Sequence, residues 1–254
     1  VLREIASSGD LGRRLIDLQH SAGLTKPTAH RIAQALVRYD FATYDRESRR
    51  YFLGAEISIL SVSAPTDLPN LRELARDDMR MLAETTGDTA YLMVRSGNDV
   101  VCVAREMGPH PIKALTGEIG TRRPLGVGAG GVALLAALPA GEMEAVLRAN
   151  RNRIGRFPNA SMKSIRKAIE EMRTKAYAFS DGLVVRDVRG IGVAVRDHRG
   201  LPVAGLSVGA VRERMTPSHL EIVVPALQRA RRALERKLRN QVKLRGRISP
   251  IARS

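Results

Sequence analysis

The chain has no tryptophan, one cysteine (Cys102) and few other aromatic residues, four Phe and five Tyr among 254 positions. A single cysteine excludes an intrachain disulfide framework and fits a reducing compartment. No run of eighteen apolar residues occurs, and no charged-then-apolar leader ends in a small-residue cleavage site. A cytoplasmic protein without a membrane partner is expected. The five histidines, His20, His30, His110, His198 and His219, have neither i, i+4 nor cysteine-adjacent spacing, so no metal site and no cofactor is expected. No internal repeat of fixed period is visible.

Acidic residues are also short: 26 Asp+Glu stand against 42 Lys+Arg, a formal net charge of +16. That excess is uneven. Residues 1–64 hold nine Lys+Arg against seven Asp+Glu, whereas residues 228–254 hold ten against one. The basic C-terminal end reads as a solvated helix face and tail, with sequence-independent attraction to phosphates as the other reading. At 254 residues and 44% hydrophobic content, the chain can bury a sizeable core and suits two moderate domains.

The most informative segment runs from Ile16 to Val37. Leu15, Ile16 and Leu18 make a short apolar face that stops at Gly23, whose missing Cβ permits a tight corner between two helices. Thr25 is placed as N-cap, Pro27 is tolerated in the first helical turn, and Ile32, Ala33, Leu36 and Val37 recur at helical spacing as a buried face. The other face carries Lys26, Thr28, Ala29, His30 and Arg31 near the helix start, the end that a recognition helix points into the major groove. Behind it, Ala42 to Leu53 forms two strand-like runs around a charged turn, with Arg46, Arg49 and Arg50 placed for phosphate contact. This reads as a winged helix-turn-helix. An ordinary helical hairpin beside a β-turn is the plainer alternative. Val1 to Ala6 reads as the inside of a first helix, so residues are expected before Val1.

Downstream, Gly54 to Ser63 reads as a short helix before Pro65 and Pro69, and Leu71, Leu74, Ala75, Met79 and Leu82 mark an amphipathic linker helix ended by Gly87. That helix suits packing against a twin or against its own domain. Two hairpins are expected, around Ser96 to Asp99 and around Asp197 to Gly200, with a further strand over Pro111 to Thr116. Helices are expected over 126–138, 142–148 and 161–177 and from Thr216 onward. Mixed elements without strict alternation favour an α+β domain with a largely antiparallel sheet.

Gly126-Val-Gly-Ala-Gly-Gly131 satisfies G-x-G-x-x-G, but Arg122 to Leu125 does not read as a buried strand and no βαβ frame follows. Two uses remain open: close helix-on-sheet packing, or backbone amides approaching a small carboxylate beside Arg122 and Arg123. Cys102 lies in a strand pattern and reads as a buried thiol, and Ser207 lacks a nucleophile-elbow pattern. No catalytic constellation emerges.

Gly23 to Arg31, Arg50-Tyr-Phe-Leu-Gly54, Gly120-x-x-x-Pro-Leu125, the helix ending at Pro139 and Gly200-x-Pro-Val-Ala-Gly-Leu-Ser-Val208 occur in order over nearly the whole chain. Together they resemble the IclR family of bacterial transcriptional regulators. The resemblance implies an N-terminal winged helix-turn-helix (1–54), linker helices (55–86), a GAF-like α/β effector-binding domain (87–240) and a basic tail (241–254). It further implies a homodimer or dimer of dimers, acting as repressor or activator on a double-stranded inverted-repeat operator and answering to a small organic acid. Carried over by position, the DNA-reading residues are Thr25, Lys26, Thr28, Ala29, His30, Arg31, Arg46, Arg49 and Arg50. The effector pocket would comprise Ile112, Arg123, Ala129, Gly130, Ser180, Asp181, Gly190, Ser207 and Gly209. Relatives often carry His at Gly126, Cys at Gly190 and an acid at or beside Ser180, so a larger, less polar cavity is expected here, with Arg123 favouring an anion. The competing class is a ligand-binding or enzymatic domain with an N-terminal interaction module.

Overall fold

The computed structural model describes residues 1–63 and 71–248, with side chains except at 62–63 and 242–248. The linker prolines Pro65 and Pro69 and the end of the basic tail lie outside the described residues. The chain divides into two units, Val1–Asp67 and Leu68–Ser254.

In the first unit, α1 (Leu2–Ala6) and a 3-10 turn lead to β1 (Arg13–Arg14), α2 (Leu15–Ala22) and α3 (Lys26–Arg38), followed by β2 (Ala42–Asp45), β3 (Arg50–Leu53) and α4 (Glu56–Ser63). Gly23 closes α2 in the left-handed conformation at φ 62°, the backbone state that the corner requires and that L side chains resist. Ile5, Leu18, Ala33, Ala42 and Tyr51 form the core, with Leu15, Leu36 and Val37 packed around it. Ile32 departs from the expected buried face: it is an exposed residue, because the stripe facing the core is set by Ala29 and Ala33, one turn apart. The wing is a three-stranded antiparallel sheet in the order β1-β3-β2.

The second unit is a six-stranded sheet in the order β6-β5-β4-β9-β8-β7, antiparallel at every pairing. Its strands are β4 (Thr89–Ser96), β5 (Asp99–Met107), β6 (Arg122–Pro124), β7 (Ala178–Asp181), β8 (Val188–Arg196) and β9 (Pro202–Val211). The helices α5 (Leu71–Thr86) and α9 (Pro217–Ile248) cover one face, and α6 (Ala129–Ala136), α7 (Ala140–Ile154) and α8 (Met162–Lys175) cover the other. Strand alternation divides the labour. Ile191, Val193, Leu206 and Val208 fill the α5/α9 side, while the intervening positions of β8 and β9 are Gly190, Gly192, Gly205, Ser207 and Gly209.

Those small residues let α6 rest on the sheet at backbone contact. A Cβ at Gly192 would lie 2.5 Å from the Ala129 carbonyl, and one at Gly205 would overlap the Gly130 carbonyl. The glycine-rich segment therefore serves close helix-on-sheet packing. Two expectations are corrected here. Arg122–Pro124 does form a short strand, at the sheet edge and antiparallel to β5, which still gives no βαβ frame. Pro111 to Thr116 is not a strand; it lies in a loop between β5 and β6 pinned by side chains from below.

Candidate nucleic-acid interface and effector cavity

Thr25 is the extended N-cap of α3, but its Oγ1 meets Thr28 Oγ1 at 2.9 Å instead of accepting a backbone amide. The first amides of α3 thus have no side-chain cap, leaving them for a phosphate oxygen. Lys26, His30 and Arg31 are exposed and Thr28 half-buried. Ala29 is the first correction within the site: it is fully buried and packs inward, so it positions the helix and cannot read a base. On the wing, Asp45 accepts from the amides of Glu47 (3.3 Å) and Ser48 (2.9 Å), shaping the turn that presents exposed Arg46 and Arg49. Arg50 is the second correction. Its Nη1 donates to the carbonyls of Leu11 (3.0 Å) and Gly12 (3.1 Å), which ties β3 to the turn before β1.

Between α3 and the wing runs an open trench of about 940 Å³ lined by Arg14, His30, Gln34, Arg38, Tyr44, Glu47, Ser48 and Arg49 among others. Arg14, Gln34 and Arg38 are not marked by the motif, whose contact residues cluster in the first turns of α3 and on the wing. Gln34 follows His30 by one turn and Arg38 follows Gln34 by another, a spacing that could have found both. The trench between α3 and the wing, lined by Arg14, Arg38 and Arg49, has the shape and charge to take a sugar-phosphate strand.

In the second unit, a cavity of about 50 Å³ lies under the start of α6. Arg123, Ala129, Gly130, Ser180, Gly190, Ser207 and Gly209 line it together, as do the unforeseen Tyr91, Met93, Cys102, Thr116 and Val184. Cross-strand register explains the convergence: Ser180 pairs with Gly190, Gly190 with Gly209, and Gly209 with Thr89, one row across four strands. Thr89 Oγ1, at the end of that row, is buried without a hydrogen-bond partner among the described residues, but Thr89 does not line the cavity.

Arg123 is 9% exposed and donates to the Thr116 carbonyl. No carboxylate pairs with it among the described residues. Burial pulls its pKa below the ordinary value, yet a guanidinium stays charged, so the cavity wall holds an uncompensated cation. Burial pushes the neighbouring Cys102 thiol up to about 11, which keeps it neutral and unreactive. Tyr91 Oη donates to Ala114 O (2.6 Å) and accepts from Thr116 N (3.0 Å), so Arg123 and Tyr91 together hold the loop that closes the cavity.

Two carried-over pocket residues lie elsewhere. Ile112 is 60% exposed on the outer side of that loop, beside His110 and His219. Asp181 points away from the cavity into ion pairs with Arg189 (3.3 Å) and Arg212 (2.8 Å). The enlarged cavity expected from Gly126 is also absent, because Leu135 and Ile165 occupy the room: a Cβ there would meet Leu135 Cδ2 at 2.9 Å.

Residues 1–46 match the model of the IclR helix-turn-helix domain, and residues 65–236 match that of the bacterial transcriptional regulator IclR C-terminal domain. The chain belongs to the IclR family. It is 29% identical over 211 residues to a glycerol operon regulatory protein of Streptomyces coelicolor, covering 83% of this chain and 82% of that one. It is 24% identical over 225 residues to the HTH-type transcriptional regulator KipR of Bacillus subtilis, covering 88% and 89%. Among solved structures, the IclR regulator of Alicyclobacillus acidocaldarius superposes with a TM-score of 0.73 at 24% identity, over 92% of this chain and 96% of that one. An IclR homologue of Microbacterium hydrocarbonoxydans complexed with 4-hydroxybenzoate superposes with a TM-score of 0.70 at 20% identity, over 93% and 98%. As an IclR protein the chain is a transcriptional regulator and not an enzyme.

Proposed function

We propose that this IclR regulator binds an inverted-repeat operator through α3 and the wing, and that a small organic acid in the cavity at Arg123 sets its operator affinity. The observation that carries the effector half is the buried Arg123 guanidinium, which no carboxylate among the described residues pairs with. Ser180 and Ser207 add buried hydroxyls facing the same cavity, and the uncapped α6 start adds amides directed at an anion. The relative crystallised with 4-hydroxybenzoate supports an aromatic acid as one candidate. A cavity of about 50 Å³ is smaller than the ~150 Å³ that holds a benzene ring. Entry of such an acid therefore requires part of the lining to move outward, and that lining includes Thr116 and Gly117 of the loop held by Arg123 and Tyr91.

On the DNA side, Lys26, Thr28, His30 and Arg31 read base edges and phosphates, Arg46 and Arg49 hold the backbone, and Arg14 and Arg38 grip the strand crossing the trench. The protein works in the cytoplasm as a dimer or dimer of dimers, the two α3 helices of each dimer meeting half-sites about 34 Å apart. Footprinting on the DNA upstream of its own gene tests this. Two protected half-sites are expected, with affinity falling about 10- to 100-fold for Arg31→Ala or His30→Ala, the worth of a base contact. Protection unchanged in both variants overturns the assignment of α3.

A further inference from the structure

More than half of the charge excess lies in residues 228–254, most of them in α9, far along the chain from the DNA-reading helix. The apolar side of α9, with Val223, Leu227, Leu234 and Leu238, is buried against the sheet and α5. The opposite side exposes Arg229, Arg232, Arg236 and Arg239, spaced three or four residues apart and therefore aligned in one stripe about 15 Å long. None of the four has an ion-pair partner among the described residues. The carboxylates close by are already engaged: Asp78 pairs with Lys237 at 2.8 Å, and Glu235 accepts the Arg196 amide at 3.0 Å. Three of the arginines also border a groove of about 320 Å³ between α5 and α9. In sequence the run continues with Lys243, Arg245 and Arg247.

We propose that this stripe is a second, sequence-independent contact for double-stranded DNA, engaging phosphates outside the bases that α3 reads. The proposal rests on the DNA-binding function of the first unit. Four guanidiniums, with no lysine among them, suit bidentate pairing with phosphate oxygens. A duplex offers about one negative charge per 1.7 Å of axis, ample for a stripe of this length. A membrane surface does not fit, because the apolar face that an interfacial helix inserts into lipid is already buried in the protein core. An acidic protein partner does not fit either, since the stripe lacks the aromatic anchors of such interfaces. Because α3 already tethers the chain to DNA, even a weak contact of this kind gains from high local concentration.

The test uses the full 254-residue chain and a random-sequence duplex of about 30 base pairs, with binding read by fluorescence anisotropy between about 50 and 200 mM salt. The combined variant Arg229→Gln, Arg232→Gln, Arg236→Gln and Arg239→Gln should lower the slope of log affinity against log salt by about 3.6, at about 0.9 per phosphate lost. Glutamine keeps helix propensity, and the matching Arg→Lys variant should retain most of the slope. A slope unchanged in the Gln variant, while the wild type binds, overturns the stripe and leaves α3 intact. Absence of any salt-dependent binding by the wild type overturns the stripe, while the operator footprint reads α3 separately. An unchanged slope with an altered assembly mass in light scattering makes the stripe a self-association surface and also overturns the proposal.

Discussion

Arg123→Met should abolish the thermal stabilisation that small carboxylates give the wild-type protein while leaving the second unit folded. Methionine approximates the volume of the arginine stem and demands no counter-ion. The Thr116 carbonyl that loses its donor lies in a half-buried loop residue, within reach of water. What disappears is a charge-assisted pair with the acid, worth about 2–3 kcal/mol or a 30- to 150-fold change in Kd. In a thermal-shift series with benzoate, 4-hydroxybenzoate and short-chain acids, an acid that raises the wild-type Tm should raise that of the variant several-fold less or not at all. Equal stabilisation of both proteins would place the anion elsewhere.

Gly205→Val should destabilise the second unit by about 3 kcal/mol or more, lowering Tm by about 10 °C. The new Cβ falls on the Gly130 carbonyl, which is backbone and cannot rotate aside, so α6 must lift from the sheet. That movement also disturbs the cavity, whose lining includes Ala129, Gly130 and Gly131. Gly155→Ala is the control: its Cβ meets nothing within 4 Å, its φ is −64°, and it should change Tm little. Similar melting of the two variants, followed by circular dichroism, would show that the contact between α6 and the sheet is looser than described.

The contrast between these glycines shows what was legible in the sequence. Gly23 announced its corner because the residues on either side change periodicity there. The alternation of large and small residues in Gly190-Ile-Gly-Val-Ala-Val195 and Gly205-Leu-Ser-Val-Gly209 is likewise visible without coordinates. The face on which α6 would sit is not, since that depends on which strands become neighbours. Thr89, Gly209, Gly190 and Ser180 belong to one row only through a cross-strand register that spans four strands.

Ala29 was misplaced because alanine suits either side of a helix, and Ile32 because apolar character alone does not fix the inward angle. Arg50 was assigned to phosphate since its two backbone carbonyl acceptors lie 38 and 39 residues away in sequence. Short edge strands such as β6 and β7 carry too few residues for a period of two to register. Asp181 sits beside Ser180 in sequence, yet the alternation of β7 sends its side chain to the opposite face, where Arg189 and Arg212 meet it.

The most direct measurement of the central claim is the affinity of the full chain for its footprinted operator, by fluorescence anisotropy, with and without a saturating acid taken from the thermal-shift series. The acid should shift operator Kd by about 5- to 150-fold, the usual range for coupling between two sites, and Arg123→Met should bind the operator but lose the shift. An acid that stabilises the protein through Arg123 yet leaves operator Kd unchanged would contradict that claim.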